Sequence, residues 1–492
     1  MSAATHVPCA GRGARARRGL ALLAGAILIP LVAGPASAQN RDVTWVGDSN
    51  DTWLGNESWA DVDNGTASDL LDTTTNPDAS PVFTSTAPFD DEDGTPGEFF
   101  ETAGSPSVVV QPQFGGRRWQ IYGLFFELDE NPVTENEANA DSFTIEGVPL
   151  IIGEGGIQVN NGRAQTILTD IEVRASAGNP NMTIEGANTV ALTLGAPGDP
   201  ITIDTSPANS DKLIFDGVTE IYANITGDAD VEYQGDSELF VASDYTGNTI
   251  LAGGQVGLET GEAFGDGATI TVNSGIQDNI ISTMGSDITI EQEIDLNADL
   301  SFGSITTPPA GQEAARTTVN GLVELFAANL AIRSEQDTPV TFASGLNIKA
   351  NPVTLDNFGN SELRIAGPIS GSADITKSGS GETILAGDNS GHTGNIETTG
   401  GVLTFANEDA LTNSPTWTVS GNTFIQADIP NSSTFATSID VDLNDHLRVR
   451  DGDAFSFEGD WTIGAGNPTP RELETNSSEP VRFTGGSITL NQ

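Results

Sequence analysis

Short runs of alternating apolar and polar residues, separated by glycine-rich turns, recur through most of the sequence after residue 140. Examples are SFTIEG from Ser142, ITIDT from Ile201, ATITVNSG from Ala268 and DITIEQEIDL from Asp287. Successive side chains of a β-strand point to opposite faces, so an alternation with period two predicts strands with one buried and one solvated face. Gly, Asn, Asp, Ser and Pro between the runs predict turns. The pattern therefore predicts an almost purely β chain.

Two segments of the chain share one frame of glycines and apolar residues. Ile225–Asn248 aligns with Ile369–Asn395, and a glycine pair follows each segment, so the best repeat copies span 225–258 and 369–405. The shared positions are Ile225 and Ile369, Gly227 and Gly371, Ala229 and Ala373, Asp230 and Asp374, Gly235 and Gly379, Asp244 and Asp388, and, after a three-residue insertion, Thr246–Asn248 and Thr393–Asn395. The residues between these positions differ freely. This comparison predicts a structural repeat that keeps its packing while its surface varies.

A single short strand bounded by glycines cannot bury enough surface to be stable alone. Stacked on copies of itself at about 4.8 Å, each strand satisfies its backbone groups against the coils above and below. Coils of roughly 20–25 residues, each with three strands of ~5 residues, would give about 15 coils and a rod of roughly 70 Å. The sequence therefore predicts β-helix repeats over 141–492, preceded by an N-terminal β cap region over 39–140.

One segment is compatible with a helix as well as with strands. In Thr318–Arg333, Val319, Leu322, Val323, Phe326 and Leu330 have helical spacing, whereas Val323, Leu325 and Ala327 would share one face of a strand. Gly321 opposes a helix by about 1 kcal/mol relative to alanine. The strand interpretation is therefore favoured.

The N-terminus has the composition of a secretory signal. A basic head containing Arg17 and Arg18 precedes the apolar run Leu20–Val32, and the small residues Ala-Ser-Ala follow at 36–38. This order predicts a signal peptide over residues 1–38. The apolar run is shorter than the roughly 20 residues that a membrane-spanning helix needs. The mature chain is therefore expected to be exported without a membrane-spanning segment, to the extracellular space or the cell surface, with the periplasm as the alternative.

The charge balance restricts the partners of the chain. It contains 19 Lys and Arg against 69 Asp and Glu, for a formal net charge of −50. Such a surface repels phosphate backbones and anionic lipid headgroups, which excludes nucleic acid as a partner. The one cysteine, Cys9, lies in the predicted signal peptide. The mature chain is thus expected to have neither disulfides nor thiolate chemistry.

The second repeat copy resembles a known family motif. The stretch ITKSGSGETILAGDNSGHTGNIETTGGVLTF, from Ile375 to Phe405, resembles the autotransporter-associated β-strand repeat of bacteria, whose form is roughly LxKxGxGxLxLxGxNxYxGxTxxxxGxL. Its family positions are occupied by Lys377, Gly379, Gly381, Gly387, Asn389, Gly394, Gly401 and Leu403. It departs from the motif at Thr383 and Ile384, at His392 and at Asn395. The resemblance implies a right-handed parallel β-helix, displayed on or released from a bacterial surface and usually without known activity.

The two ends of the chain carry further expectations. The opening resembles the heads of such chains, with Trp45, Trp53 and Trp59 in Gly- and Asn-rich sequence. We expect these residues to close the end of the core, because a solenoid needs an atypical cap; a carbohydrate platform is the alternative. Family members end in a membrane β-barrel of alternating strands with a terminal aromatic residue. That pattern is not found up to Gln492, so no outer-membrane barrel is expected within this sequence.

Histidines and carboxylates are the candidate catalytic groups. His392 and His446 lack a nucleophile context such as G-x-S-x-G, so both are predicted to be surface histidines.

Two carboxylate sets could serve a polysaccharide-degrading β-helix enzyme or bind Ca²⁺. They are Asp228, Asp230 and Glu232, and Asp442, Asp445, Asp451 and Asp453. The repeat argues against the first set, because Asp228 and Glu232 align with Ser372 and Thr376. In the second set, ion pairing with Arg448 and Arg450 explains the charges equally well. The acidic stretch Asp90–Glu101 departs from EF-hand spacing and is predicted to be a loop.

These observations together favour an exported structural or interaction protein, such as an adhesin, a stalk or a matrix component. We predict no catalytic, cofactor-binding or metal-binding residues, while Ca²⁺ binding and a polysaccharide-degrading enzyme that uses surface carboxylates remain the alternatives. Surface glycans or proteins are the expected partners, and the sequence does not identify them.

Overall fold

The structure of the chain is a computed structural model. It describes strands within 41–45, 59–61, 79–84, 107–110 and 119–127 and the chain over 144–491, apart from 148, 161–162, 175–180, 188–189, 207–211, 268, 274–277, 306–313, 336, 412, 431–433, 451, 465–471 and 476. The predicted signal peptide and the stretch Asp90–Glu101 lie outside the described residues.

The described chain consists of short strands and one 3-10 turn, Gly261–Phe264. The strands are β1 Arg41–Trp45, β2 Trp59–Asp61, β3 Ala79–Thr84, β4 Ser107–Val110, β5 Trp119–Glu127, β6 Thr144–Gly147, β7 Leu150–Val159, β8 Gln165–Ile167, β9 Ile171–Val173, β10 Asn181–Glu185, β11 Leu192–Leu194, β12 Ile201–Asp204, β13 Lys212–Asp216, β14 Thr219–Ile221, β15 Ala223–Thr226, β16 Asp230–Tyr233, β17 Ser237–Leu239, β18 Thr249–Leu251, β19 Gly254–Leu258, β20 Thr269–Val272, β21 Asn279–Thr283, β22 Ile288–Ile290, β23 Glu293–Leu296, β24 Leu300–Ser304, β25 Thr317–Val319, β26 Val323–Leu325, β27 Leu330–Ser334, β28 Val340–Phe342, β29 Leu346–Lys349, β30 Val353–Asn357, β31 Glu362–Ile365, β32 Ile369–Gly371, β33 Ile375–Ser378, β34 Glu382–Leu385, β35 Ile396–Thr398, β36 Gly401–Phe405, β37 Thr416–Val419, β38 Thr423–Ala427, β39 Thr434–Thr437, β40 Asp440–Leu443, β41 Leu447–Val449, β42 Ala454–Phe457, β43 Trp461–Ile463, β44 Leu473–Thr475, β45 Val481–Phe483 and β46 Ile488–Leu490.

The strands stack into three parallel columns. Column 1 runs from the second half of β7 through β10, β13, β16 and onward to β32, and β39, β42 and β45 take its place in the last coils. Column 2 runs from β4 through β6, β8 and β11 to β46. Column 3 begins with β9, β12 and β15 and resumes after the 3-10 turn as β22 through β44. The columns form a parallel β-solenoid of about 13 turns, which confirms the predicted all-β parallel β-helix class.

The coil length varies more than the sequence estimate assumed. Partners in adjacent coils are 18 residues apart at Thr219 and Ser237 but 32 apart at Asp299 and Ala331. The longer coils carry extra residues between strands rather than longer strands.

Alternation places the core in the centre of the coil. In most strands, buried residues alternate with half-exposed ones, as in β13, where Leu213 and Phe215 are buried. The inward side chains of successive coils form continuous stacks, for example Phe215 and its register partner Tyr233, whose ring centroids are 5.5 Å apart. In-register stacking of like residues gives each coil apolar neighbours above and below.

The ambiguous segment Thr318–Arg333 forms strands, as favoured from the sequence. It contributes to β25, β26 and β27, and Val323 and Leu325 point into the core. Phe326, which the helical spacing would bury, is exposed. Gly321 lies so close to the preceding coil that a Cβ would come within 1.8 Å of the Gln292 carbonyl oxygen.

The first strands of the chain join the same stack. β1 pairs antiparallel with β2, which sets the Cα of Trp45 opposite that of Trp59, and β1, β3, β5 and β7 follow one another in parallel. Trp53 lies outside the described residues, as do the side chains of Trp45 and Trp59. The role of these tryptophans in closing the core therefore stays a prediction.

Candidate functional site

The glycines shared by the two repeat copies mark places where one coil touches the next. A Cβ on Gly247 would come within 2.1 Å of the Ala229 carbonyl oxygen, and a Cβ on Gly394 within 1.9 Å of the Ala373 carbonyl oxygen. Real Cβ atoms do not approach backbone oxygens this closely, so only glycine fits. The glycines in these two aligned positions therefore allow the close contact between coils.

The shared aspartate also joins neighbouring coils. The Asp230 carboxylate accepts a hydrogen bond from the backbone N–H of Asn248 at 2.7 Å, and Asp374 accepts one from Asn395 at 2.8 Å. Asp440 and Asp460 make the same type of contact further along the chain. A carboxylate at this corner satisfies a backbone donor that no strand pairing reaches.

Lys377, the lysine of the family motif, points into the solenoid. Its side chain is buried, and Nζ donates to the carbonyl oxygens of Ser378 at 2.8 Å and Gly379 at 3.0 Å. Gly401 lies against this ammonium group, because a Cβ there would be 2.5 Å from Nζ. Burial lowers the pKa of Lys377 to about 8, while Asp356 opposes the shift. The lysine and glycines of the motif thus form one internal corner.

His392 is buried, so the prediction of a surface histidine was wrong at this position. Its Nδ1 lies 3.0 Å from the Ser414 hydroxyl and its Nε2 lies 2.9 Å from the Ala373 carbonyl oxygen. Burial lowers its pKa, which favours a neutral ring that donates from Nε2 and accepts at Nδ1. Asn389 acts similarly, accepting from the Ile369 N–H and donating to the Ala410 carbonyl oxygen. These motif residues hold coils together and do not reach an exposed reaction site.

The first carboxylate set does not converge on one point. Asp230 serves the backbone, and Glu232 pairs with Lys212 and also accepts from Gln234. Asp228 is exposed in the turn before β16. Each carboxylate therefore has its own surroundings, and the three do not form a shared cation site.

The second set is likewise divided among structural contacts. Asp453 accepts from the Ile429 N–H at 2.7 Å, and Asp445 accepts from the N–H of His446. The half-exposed His446 ring lies 3.9 Å from Asp445 and from Glu472. Asp442 points outward from β40, and Asp451 lies outside the described residues. Arg448 pairs with Glu474 at 2.8 Å, rather than with Asp442, Asp445 or Asp453.

A groove on column 3 concentrates acidic residues. It has a volume of about 430 Å³, and its lining includes Asp244, Glu262, Asp266 and Glu291. Within the described parts of the chain, no group of three or more His, Cys, Asp or Glu side chains is arranged to hold a metal ion. The groove is thus acidic without a coordination geometry.

A half-exposed arrangement of acidic and aromatic residues lies on column 2 and was not singled out from the sequence. Glu220 and Glu238 are register partners on β14 and β17 and point outward, as do Tyr222 and Phe240 two residues later. The Tyr222 and Phe240 rings stack with centroids 4.0 Å apart. We call these four residues the Glu–aromatic face. A groove of about 200 Å³ borders it and is lined by Glu220, Glu238, Gln255 and Ile305 among others.

Electrostatics at the Glu–aromatic face are unbalanced. Burial, followed by the charge of Glu220, raises the pKa of Glu238, and burial, followed by both glutamates, raises the pKa of the Tyr222 hydroxyl. Thr193 donates a hydrogen bond to Glu220 at 3.1 Å. The ion pairs of the described residues do not include either glutamate. Like charges directly opposite each other on a sheet destabilise it, so this face carries a local cost.

Comparison with known proteins does not identify the chain. No family model matches the sequence, and neither a curated protein nor a solved structure matches it. In the part of the chain that the structure describes, no helix is long and apolar enough to cross a membrane.

Proposed function

We propose that the chain is an exported structural and interaction protein, similar to autotransporter passengers, that serves as an adhesin, a stalk or a matrix component at a bacterial surface. The observation that carries the proposal is that the polar residues of the repeat hold the coils of the solenoid together. Asp230, Asp374, Lys377, Asn389 and His392 each bond to the backbone or to a neighbouring coil. The outward positions are then left to vary, as suits a scaffold that presents a surface.

The resemblance of Ile375–Phe405 to the autotransporter-associated repeat supports the same proposal. The signal peptide predicted over residues 1–38 supports export. Surface glycans or proteins are the partners that we propose, and the net charge of −50 favours partners with positive or neutral surfaces over anionic ones.

The experiment that tests the proposal has two readouts. Antibody labelling of intact producer cells should detect the protein outside the cell, and the purified protein should bind those cells saturably. A protein found only in the cytoplasm, or one that binds no surface, would contradict the proposal.

A polysaccharide-degrading enzyme is the second candidate, and the Glu–aromatic face is the observation that favours it. Two neighbouring carboxylates, one with a raised pKa, could divide the acid and base roles of glycoside hydrolysis. The purified protein should be incubated with uronate-containing and neutral glycans, with and without Ca²⁺. We expect no turnover; turnover that Glu238→Gln abolishes would establish the enzyme in place of the scaffold.

A further inference from the structure

The Glu–aromatic face has a counterpart on column 1 of the same solenoid. There, Asp295 and Glu324 are register partners that point outward from β23 and β26, and Phe326 follows two residues after Glu324. Both faces thus carry two carboxylates in adjacent coils with an aromatic ring two residues further along the strand.

The column 1 face is occupied by a cation of the chain itself. Lys349, from the next coil, places Nζ 3.4 Å from the centroid of the Phe326 ring and 3.0 Å from the Glu324 carboxylate. Its hydrogen bond is the main reason why the pKa of Glu324 is lowered, as expected for a carboxylate beside a cation. A second example lies on column 3, where the Arg448 guanidinium lies 5.4 Å from the Phe424 ring centroid and pairs with Glu474 at 2.8 Å. Carboxylate and aromatic ring together therefore bind a Lys or Arg side chain in this molecule.

On column 2 the next coil supplies no such cation. The outward residues that follow Glu238 and Phe240 in the stack are Gly257, the register partner of Glu238, and Glu259, whose N–H bonds to the Leu239 carbonyl oxygen. Where Lys349 completes the column 1 face, an exposed glutamate therefore stands here. Gly257 has no side chain, and the Ile305 and Met284 side chains lie over it, since a Cβ there would be 2.3 Å from Ile305 Cδ1 and 3.4 Å from Met284 Cγ. A cation would therefore reach the two glutamates through the groove that they line together with Gln255 and Ile305.

We propose that the Glu–aromatic face binds a lysine or arginine side chain presented by a basic segment of a partner protein. The carboxylates of Glu220 and Glu238 would pair with the ammonium or guanidinium group, and the face of the Phe240 ring that Tyr222 does not cover would make a cation–π contact with it. A cation placed between the two glutamates also removes their mutual repulsion, which a neutral ligand does not do. This inference rests on the proposed interaction function and names its partner.

Fluorescence polarisation with a short fluorescein-labelled peptide of alternating glycine and arginine tests the proposal at physiological salt, where weak non-specific attraction is screened. Glu220→Gln combined with Glu238→Gln should weaken binding roughly tenfold or more. The matched control, Glu262→Gln combined with Asp266→Asn, removes the same charge from the acidic groove on column 3 and should weaken binding by less than about twofold. If the two double variants lose the same affinity for the peptide, net charge alone explains the binding, and the proposal is wrong.

Two single variants test the other parts of the geometry. Phe240→Leu keeps every charge and should still weaken binding several-fold, because the cation–π contact is lost. Glu259→Lys places a lysine where Lys349 stands on column 1 and should abolish binding, whereas Glu408→Lys, with the same charge change on a distant exposed glutamate, should not. If Phe240→Leu or Glu259→Lys binds like its parent, the proposed site is wrong.

A chitosan oligosaccharide, which carries amino groups on a sugar chain, distinguishes the class of partner. Tighter binding of this probe than of the peptide, lost in the same variants, would overturn the assignment to a basic protein. Circular dichroism of every variant shows whether the solenoid is intact. If the variants of the Glu–aromatic face bind producer cells as well as the wild type does, this inference is wrong. The proposed function would still stand, because the cell binding itself is saturable.

Discussion

At the scale of single residues, the polar side chains of the repeat are structural groups. Lys377 shows this most clearly, because its ammonium group is buried and held by two backbone carbonyl oxygens. A buried lysine is tolerated when its donors are satisfied, but burial still disfavours the charged form. Its lowered pKa makes the stability of the protein depend on pH in a predictable direction.

We predict that the wild type becomes more stable at alkaline pH, where the buried Lys377 loses its proton. The Lys377→Met variant should not show this gain. Lys377 has a pKa of about 8 in the folded protein against an ordinary value of 10.5. Between these values the unfolded chain holds more protons than the folded one, so this group makes stability rise with pH. The free-energy cost of burying the charged ammonium group is fully present well below pH 8, where Lys377 is protonated in both states. From pH 7 to pH 10, urea unfolding of the wild type should gain about 2 kcal/mol relative to Lys377→Met; parallel pH profiles would contradict the burial of the charge.

Asp230 and Asp228 form a natural pair for testing the role of the carboxylates. Asp230→Ala leaves the Asn248 N–H without its partner and should lower the free energy of unfolding by about 1 kcal/mol. Asp228→Ala, two residues away and exposed, should change it by less than about 0.5 kcal/mol. Thermal unfolding with and without Ca²⁺ checks both expectations. If Ca²⁺ stabilises the wild type but neither variant, the first carboxylate set does bind a cation, and the structural explanation is wrong.

At the scale of the element, close contact between coils explains the density of glycine. Aligned glycines such as Gly247 and Gly394 occur where a corner passes directly over a carbonyl group of the coil before. The sequence comparison recognised their positions from the shared frame, because a steric requirement of this kind recurs with every coil. It did not reveal which neighbour imposes the requirement.

Gly394 and Gly391 allow this explanation to be tested within one turn. A Cβ at Gly394 would lie 1.9 Å from a backbone oxygen, whereas at Gly391 the nearest atom is a side-chain carbon at 3.4 Å. Gly394→Ala should therefore destabilise the protein by about 2–3 kcal/mol, and Gly391→Ala by less than about 0.5 kcal/mol. Chemical denaturation measures both. Similar values for the two variants would show that coil contact does not determine the choice of glycine.

Burial of individual polar residues was harder to predict than strand formation. His392 lies in a turn between polar and glycine residues, a context that is typical of exposed histidines. The turn is covered because Ser414 and Ala373 of the neighbouring coils lie against it. Contacts with residues about twenty positions away on either side do not appear in any local pattern.

At the scale of the whole molecule, negative charge is spread along a stack of coils. A formal net charge of −50 on a compact solenoid produces self-repulsion, only part of which the ion pairs offset. Register stacking adds to it by placing acids beside acids, as at Glu185 and Asp216, where burial and then Asp216 raise the pKa of Glu185.

We therefore predict that salt stabilises this protein. Raising NaCl from 20 mM to 500 mM should increase the melting temperature by about 3–6 °C, because screening weakens repulsion between exposed charges. CaCl₂ at the same ionic strength should have a similar effect. A much larger effect of Ca²⁺ at low concentration would indicate specific binding instead of screening.

The sequence by itself determined the fold class, the position of the repeat and the acidic character of the surface. Alternation with period two and recurrent glycines are local consequences of strand and corner geometry, so they can be read without coordinates. The arrangement of the surface was decided only in the tertiary structure. Glu220 and Glu238 are 18 residues apart, and nothing local indicates that they become neighbours. The register of the coils brings them together beside Tyr222 and Phe240. The same stacking buries His392, which was predicted to be a surface histidine, together with Lys377.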